Sequence, residues 1–258
     1  MTDPVGGGSG TEGDPIDLSV VIPMHNSASV IESTVRAWKD YLTSGRTELI
    51  LVENGSRDAT WEVAQRLADP TDHVEIRLLR SAKGMGNALR AGILASAGRR
   101  VLLSADDLPF GFDDLANAPI HGADARVVIG SKAHRESRIR RSLARQVFTI
   151  GFRGMRFLVL GSRIGDTQGT FLVEGDLLRA YAPELDERGF LFTTQFAVFA
   201  ERDGVSIAEI PVTLRRAVIA KESTVRLSDI GDMGRGLWRL RRSLRRHRRY
   251  GIPREVHG

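Results

Sequence analysis

The chain has 258 residues, 41% of them hydrophobic, which is enough for one large domain or a domain with appendages. Its net charge is +5, and the excess is concentrated in residues 135–163 and 235–249, against an acidic, Gly-rich start. That asymmetry points to an anionic partner such as a nucleic acid, a phospholipid surface or a phosphorylated substrate; the lack of any cysteine excludes disulfides and thiolate metal sites.

Residues 1–16 read as a disordered tail. Their opening, MTDPVGGGSGTEGD, lacks the basic start and apolar run of a secretory signal. DLSVVIPMHN (17–26) is a buried strand stopped near Pro23. Residues 27–45 have helical spacing, with Val30, Ile31, Val35, Trp38 and Leu42 on one face, Ser27 or Ser29 as cap and Gly45 as stop. TELILVENGS (47–56) is a second strand, and 57–70 a helix capped by Asp58 or Ser56. VEIRLLRS (74–81) is a third strand, KGMGNALRAGILASAG (83–98) a Gly-led helix, and RRVLLSADD (99–107) a fourth strand. Strands alternating with helices of this length predict an open, largely parallel sheet covered on both faces.

The second half is less regular. ARVVIGSK (125–132) is a strand, 135–163 a basic amphipathic helix, and 166–185 a turn, a short strand and a helix. Residues 190–204 are helical, and 205–215 form an edge strand containing Pro211. The longest apolar run, VFTIGFRGMRFLVLG (147–161), is broken by Arg153 and Arg156. No stretch reaches the roughly 18 uncharged apolar residues of a spanning helix. A cytoplasmic protein is expected, with the membrane surface open to it. The last helix has eight arginines between 235 and 249, with Leu237, Trp238, Leu240 and Leu244 partly on one face. Trp238 among leucines favours an interfacial helix over a basic tail. A nucleic-acid arm has no aromatic platform or reading motif behind it.

Ligands of open α/β sheets bind beyond the carboxyl ends of the strands. The polar clusters fall there: His25 and Asn26, Glu53 to Ser56, Lys83 to Asn87, and Asp106 with Asp107. Gly84 and Gly86 at a helix start suit a phosphate, or else a plain cap with close packing. Glu53 has no structural duty at a strand end and suits a nucleobase N–H or a ribose hydroxyl. Asp106 and Asp107 suit a divalent cation shared with substrate phosphates, although D-D-L-P is also ordinary turn chemistry. The six histidines show no metal spacing.

Four pieces, VVIPMHN, LVENGSRDAT, KGMGNALRAGILASAG and SADDLPFGFDDL, stand in an order that resembles glycosyltransferase family 2, and within it the polyprenyl-phosphate sugar synthases. VIGSK, GDTQGTFLVE and AERDGVSIAEIPVTLR extend the resemblance over about residues 17 to 225. It implies an α/β GT-A fold, a Rossmann-like nucleotide-diphospho-sugar transferase fold with a mostly parallel central sheet, here with basic amphipathic helices. Residues 17–225 would form that domain, and 226–258 a basic, membrane-interfacial helix. The resemblance further implies a nucleotide-diphosphate sugar donor, a divalent cation (Mg2+ or Mn2+) and inversion at the anomeric carbon.

By position, Pro23, His25, Asn26, Glu53, Gly55, Ser56, Lys83, Gly84, Gly86, Ala105 and Asp106 would line the nucleotide sugar. Asp106 and Asp107 would hold the metal. Lys132, Arg135, Arg138, Arg141, Arg145, Asp166 and Gln168 would receive the acceptor phosphate. Arg140, Lys221 and Ser223 would join the two aspartates in catalysis, the last two from a closing loop. The apolar run 147–160, interleaved with Arg153 and Arg156, would face lipid tails. The partners expected are the nucleotide sugar, a polyprenyl phosphate lipid, an anionic membrane surface and a membrane-protein partner, with no nucleic acid. The place expected is the inner face of the cell membrane, peripherally bound. Four acids of the family pattern are replaced, by Ser27, Asn54, Ser104 and Gln195. Transfer to a hydroxyl would need a base, for which Gln195 is unsuited and Asp166 the fallback.

Overall fold

Seven of the apolar runs become strands of one sheet, in the order β3-β2-β1-β4-β6-β5-β7. The computed structural model describes residues 15–43, 45–68, 74–137, 143–215 and 227–247, with the backbone alone for 143–150 and 227–233. Most of the tail expected at 1–16 lies outside the described residues.

The first half alternates as the spacing predicts: β1 (Leu18–Met24), α1 (Ile31–Tyr41), β2 (Thr47–Glu53), α2 (Thr60–Leu67), β3 (Glu75–Arg80), α3 (Met85–Ala95) and β4 (Arg100–Leu103). These four strands are mutually parallel, with β1 between β2 and β4. β1 is buried on both faces, so its apolar run is nearly continuous. Val20, Ile22 and Met24 pack in one core layer with Trp38 of α1; Val21 packs in the other with Ala88 and Ile93 of α3.

The second half holds α4 (Asp113–His121), β5 (Val127–Ser131), α5 (Leu143–Leu160), β6 (Thr170–Glu174), α6 (Gly175–Tyr181), a short 3-10 turn, α7 (Phe192–Arg202), β7 (Ile207–Pro211) and α8 (Leu227–Arg246). β6 runs antiparallel to both neighbours, and β7 closes the edge beside β5. Helix α4 is not legible in the sequence, because Pro119 lies inside it. The expected serine cap of α1 is not used: Val30 precedes the helix and no side chain caps it.

Two other expectations fail on burial. Arg156 of α5 does not face lipid; it is 1% exposed and donates from Nη1 to Thr167 Oγ1 at 2.9 Å. Helix α8 does not offer its leucines to a membrane, because Leu237, Leu240 and Leu244 are buried against the protein, and Trp238 points outward at 58% exposure. His247 follows the helix with its side chain fully buried, Nδ1 2.7 Å from Glu184 Oε2, Nε2 3.0 Å from Asp203 Oδ2, and its ring stacked on Phe199.

Asp114, in the first turn of α4, is buried at 3% exposure, and that burial raises its carboxyl from 3.8 to about 6. Between those values the folded state holds more protons than the unfolded chain, so Asp114 lowers stability as pH rises through that window. The Asp114→Asn variant should therefore gain on the wild type by about 2 kcal/mol between pH 4 and pH 7. Urea unfolding of both proteins at several pH values measures that gap; a pH-independent gap would contradict it.

Candidate functional site

The carboxyl ends of β1, β2 and β4 bring three of the polar clusters to one edge, and the start of α3 brings the fourth. Met24 sits in register with Glu53, and Val21 with Leu103. Beyond β1 the chain turns sharply: Asn26 has a left-handed φ of 55°, and its Oδ1 accepts the Arg57 N–H at 2.9 Å. The Asn26 N–H donates to Ser56 Oγ at 3.1 Å, so the loops after β1 and β2 are tied to each other. Pro23 lies within β1, while His25 and Asn26 are exposed.

Glu53 has the structural duty the sequence did not show: its Oε1 accepts the Ser56 N–H and closes the turn. Asn54, one of the four replaced acids, is buried at 4% exposure. Its Nδ2 donates to the Met24 carbonyl at 2.8 Å, and its Oδ1 accepts the Gly84 N–H at 3.2 Å. An ionised carboxylate could make only the second bond. Gly55 has φ 80°, and a Cβ there would lie 3.2 Å from the Lys83 side chain.

Gly84, with φ 127°, precedes α3. A Cβ on either Gly84 or Gly86 would run into the main chain of residues 187–188, and the Gly86 N–H donates to the Arg188 carbonyl at 2.9 Å. Of the two readings left open for these glycines, close packing is thus satisfied, and one N–H at the helix start is already spent. The 186–188 segment is held in turn by Gln195. That side chain, fully buried, donates to Asp186 Oδ1 at 2.6 Å and to Ser243 Oγ of α8 at 2.9 Å, and accepts the Glu187 N–H at 3.0 Å.

At the end of β4, Ser104 is buried and Ala105, Asp106 and Asp107 are half-buried. Ser27 Oγ donates to Asp106 Oδ2, and Thr34 Oγ1 donates to the Asp106 carbonyl at 2.6 Å. Among the described residues no group of three or more His, Cys, Asp or Glu side chains is placed to hold a metal ion. Asp106 and Asp107 nevertheless supply hard oxygen donors. One or two carboxylates completed by phosphate oxygens is an ordinary set for Mg2+ or Mn2+, so the residues fit such an ion.

Of the residues expected at the acceptor phosphate, Lys132 follows β5. Its N–H donates to Asp166 Oδ2 at 2.9 Å, and its Nζ to the Gln168 carbonyl at 2.8 Å, 3.4 Å from Asp166 Oδ2. The ammonium lies 5.6 Å from the Phe110 ring centre. Asp166 Oδ1 accepts the Gln168 N–H at 2.9 Å, so both oxygens of this carboxylate are engaged. Gln168 Nε2 donates to the Phe190 carbonyl and to Thr194 Oγ1, each at 2.9 Å. Arg135 is exposed. Arg138, Arg140, Arg141, Lys221 and Ser223 lie outside the described residues, as does the side chain of Arg145.

Thr34 and Arg57 carry contacts that the sequence does not show. Their partners stand about 30 to 70 residues away, and no local pattern marks them.

Comparison with known proteins follows the same lines. The model of the family described as "Glycosyl transferase family 2" matches residues 19–172. The glycosyltransferase AglD of Haloferax volcanii is 28% identical over 236 residues, 87% of this chain and 38% of that protein. The dolichyl-phosphate beta-glucosyltransferase of Homo sapiens is 28% identical over 217 residues, 76% of this chain and 66% of that protein. The chain thus spans less than two thirds of the length of these relatives. Among solved structures, glucosyl-3-phosphoglycerate synthase from Mycobacterium tuberculosis in complex with uridine diphosphate superposes with a TM-score of 0.60 at 20% identity, covering 88% of this chain and 79% of that one. The likeness is one of fold: the mostly parallel α/β sheet of the GT-A type.

Gly86→Ala tests the packing at the start of α3. The added methyl meets main chain rather than a yielding side chain, so a loss of about 1–3 kcal/mol in unfolding free energy is expected. Unaltered stability in urea would mean that the 187–188 segment is free to move away.

Proposed function

Because the chain belongs to glycosyltransferase family 2, we propose that it transfers a hexose or N-acetylhexosamine, with inversion, from a UDP- or GDP-sugar to polyprenyl phosphate at the cytoplasmic face of the membrane. The observation that carries the reading is the meeting of the β1, β2 and β4 ends with the start of α3, where Asn54 after β2 accepts the Gly84 N–H and Ser27 after β1 donates to Asp106 after β4. The relatives named for dolichyl phosphate support the lipid acceptor. The solved structures named with UDP and Mn2+ support the nucleotide donor and the cation.

Pro23, His25, Asn26, Glu53 with Gly55 and Ser56, Lys83 with Gly84 and Gly86, and Ala105 would enclose the nucleotide. Asp106 and Asp107 would hold the divalent cation, which when bound neutralises the leaving diphosphate. Lys132, Asp166, Gln168 and Arg135, with the arginines at 138, 140, 141 and 145, would frame the acceptor phosphate. Guanidinium groups suit it through paired N–H donors. Lys221 and Ser223 would close over both substrates. An anionic phosphate attacks without a strong general base, so the task of the chain is orientation and charge compensation. The geometry favours such an acceptor over a neutral hydroxyl. Gln195 is turned to α8, and both oxygens of Asp166 are committed to Lys132 and Gln168.

Membrane contact would come from residues 226–258 and the outer face of α5, with residues 17–225 carrying the transfer. Phe157, Leu158, Phe190 and Trp238 are exposed at 50%, 80%, 73% and 58%, and exposed arginines flank Trp238 on α8. Among the described residues no helix is long and apolar enough to cross a membrane. Apolar side chains bordered by arginines suit an anionic lipid surface and leave room for a membrane-protein partner.

Incubation with labelled UDP- or GDP-sugar, polyprenyl phosphate and Mn2+ should carry label into the organic phase. The Asp106→Ala, Asp107→Ala double variant should lower that transfer at least a hundredfold. No lipid product from any donor would overturn the reading. Sedimentation with vesicles should show binding to anionic but not neutral lipid, weakened in Trp238→Ala and by salt. Equal binding to both vesicle types would remove the charged-surface part of the proposal.

A further inference from the structure

Position 27 is a replaced acid that touches Asp106, one of the two aspartates at the end of β4. Ser27 is 1% exposed, between the end of β1 and the start of α1. Its hydroxyl accepts the His25 N–H at 3.0 Å and donates to Asp106 Oδ2. Its own N–H donates to Thr60 Oγ1 at 2.7 Å, and Thr60 is anchored by Asp58 Oδ1, which accepts its N–H at 3.1 Å. A hydroxyl has a single proton; with the backbone donor occupying one lone pair, that proton is aimed at the carboxylate.

We propose that Ser27 is a positioning residue that orients the Asp106 carboxylate toward the divalent cation and the donor diphosphate, taking over by hydrogen bonding a place where the family pattern has an acid. This rests on the reading of Asp106 given under Proposed function. A carboxylate at position 27 would be acceptor-only and of like charge, so it could not hold Asp106 in this way. Serine can, and it does so from a rigid base, because Thr34 Oγ1 fixes the main chain of Asp106 at its carbonyl while Ser27 fixes the side chain. One aspartate oxygen is thus immobilised, and the rotamer of the group is set before any ligand arrives. Partners of this kind, one step behind a metal ligand, orient the ligand and tune its strength. Fewer acids then need not mean a lost site: the negative charge falls while the order of the remaining carboxylate rises.

The test uses the full chain with UDP and Mn2+ as probes. UDP affinity is measured by calorimetry in EDTA and in Mn2+, and Mn2+ affinity by paramagnetic resonance in the presence of UDP, for the wild type, Ser27→Ala, Ser27→Thr, Asp106→Asn and the Ser27→Ala, Asp106→Asn double variant. Ser27→Ala is expected to weaken Mn2+ binding about tenfold and to leave UDP affinity in EDTA within about twofold. Ser27→Thr, which keeps the hydroxyl, should recover most of the loss. In the Asp106→Asn background, Ser27→Ala should cost nothing further. Wild-type Mn2+ affinity in Ser27→Ala, an equal fall of UDP affinity with and without metal, or additive losses in the double variant would each overturn the inference. UDP binding by the wild type with no Mn2+ enhancement overturns it and leaves the nucleotide site standing. Binding of neither UDP nor GDP, with or without Mn2+, overturns the proposed function as well.

Discussion

The register of β1 between β2 and β4 is the constraint on which the rest of the site depends. Main-chain hydrogen bonds align Met24 with Glu53 and Val21 with Leu103, and a slip of one residue would turn every side chain of β1 to the opposite face. Because both faces of β1 are buried against different helix layers, such a slip would break two cores at once. The loops that leave these strands inherit that alignment. Asn26 reaches Ser56 and Arg57, Asn54 reaches Met24 and Gly84, and Ser27 reaches Asp106, each across strands that are neighbours only in space.

Three of the acids that the family pattern leads one to expect have become hydrogen-bonding residues with definable work. Asn54 donates where an acid could not, Ser27 donates to Asp106, and Gln195 joins α7, the 186–187 turn and α8. Ser104 is buried, with its N–H on the Val21 carbonyl; nothing else in the structure explains that serine. Replacing carboxylates by amides and hydroxyls removes like-charge repulsion and substitutes directional contacts for it.

Helix α8 shows how a basic segment is divided between two tasks. Its leucines and His247 are committed to the body of the protein, where His247 meets Glu184 and Asp203 beside Phe199. What is left outward is Trp238, with the guanidinium of Arg241 5.6 Å from its ring centre, and the remaining arginines. The same helix touches Gln195, which holds the segment packed on Gly84 and Gly86. The outer surface of α8 and the start of α3 are therefore joined by one run of packed groups.

The sequence by itself determined the alternation of strands and helices, the parallel first half, the edge position of β7 and the location of the polar clusters at strand ends. Each of these follows from hydrophobic period, turn residues and chain order, which are local quantities. It misjudged Arg156 as lipid-facing, Ser27 or Ser29 as a helix cap, Glu53 as free of structural duty and the α8 leucines as a membrane face, and it passed over α4 with its internal Pro119. Those outcomes were decided only by tertiary structure. A side chain's partner across 30 or 79 residues, as Asn54 finds Met24 and Ser27 finds Asp106, depends on which strands lie side by side. Local pattern shows which residues are apolar or charged; the packing of sheet and helices decides which of them meet.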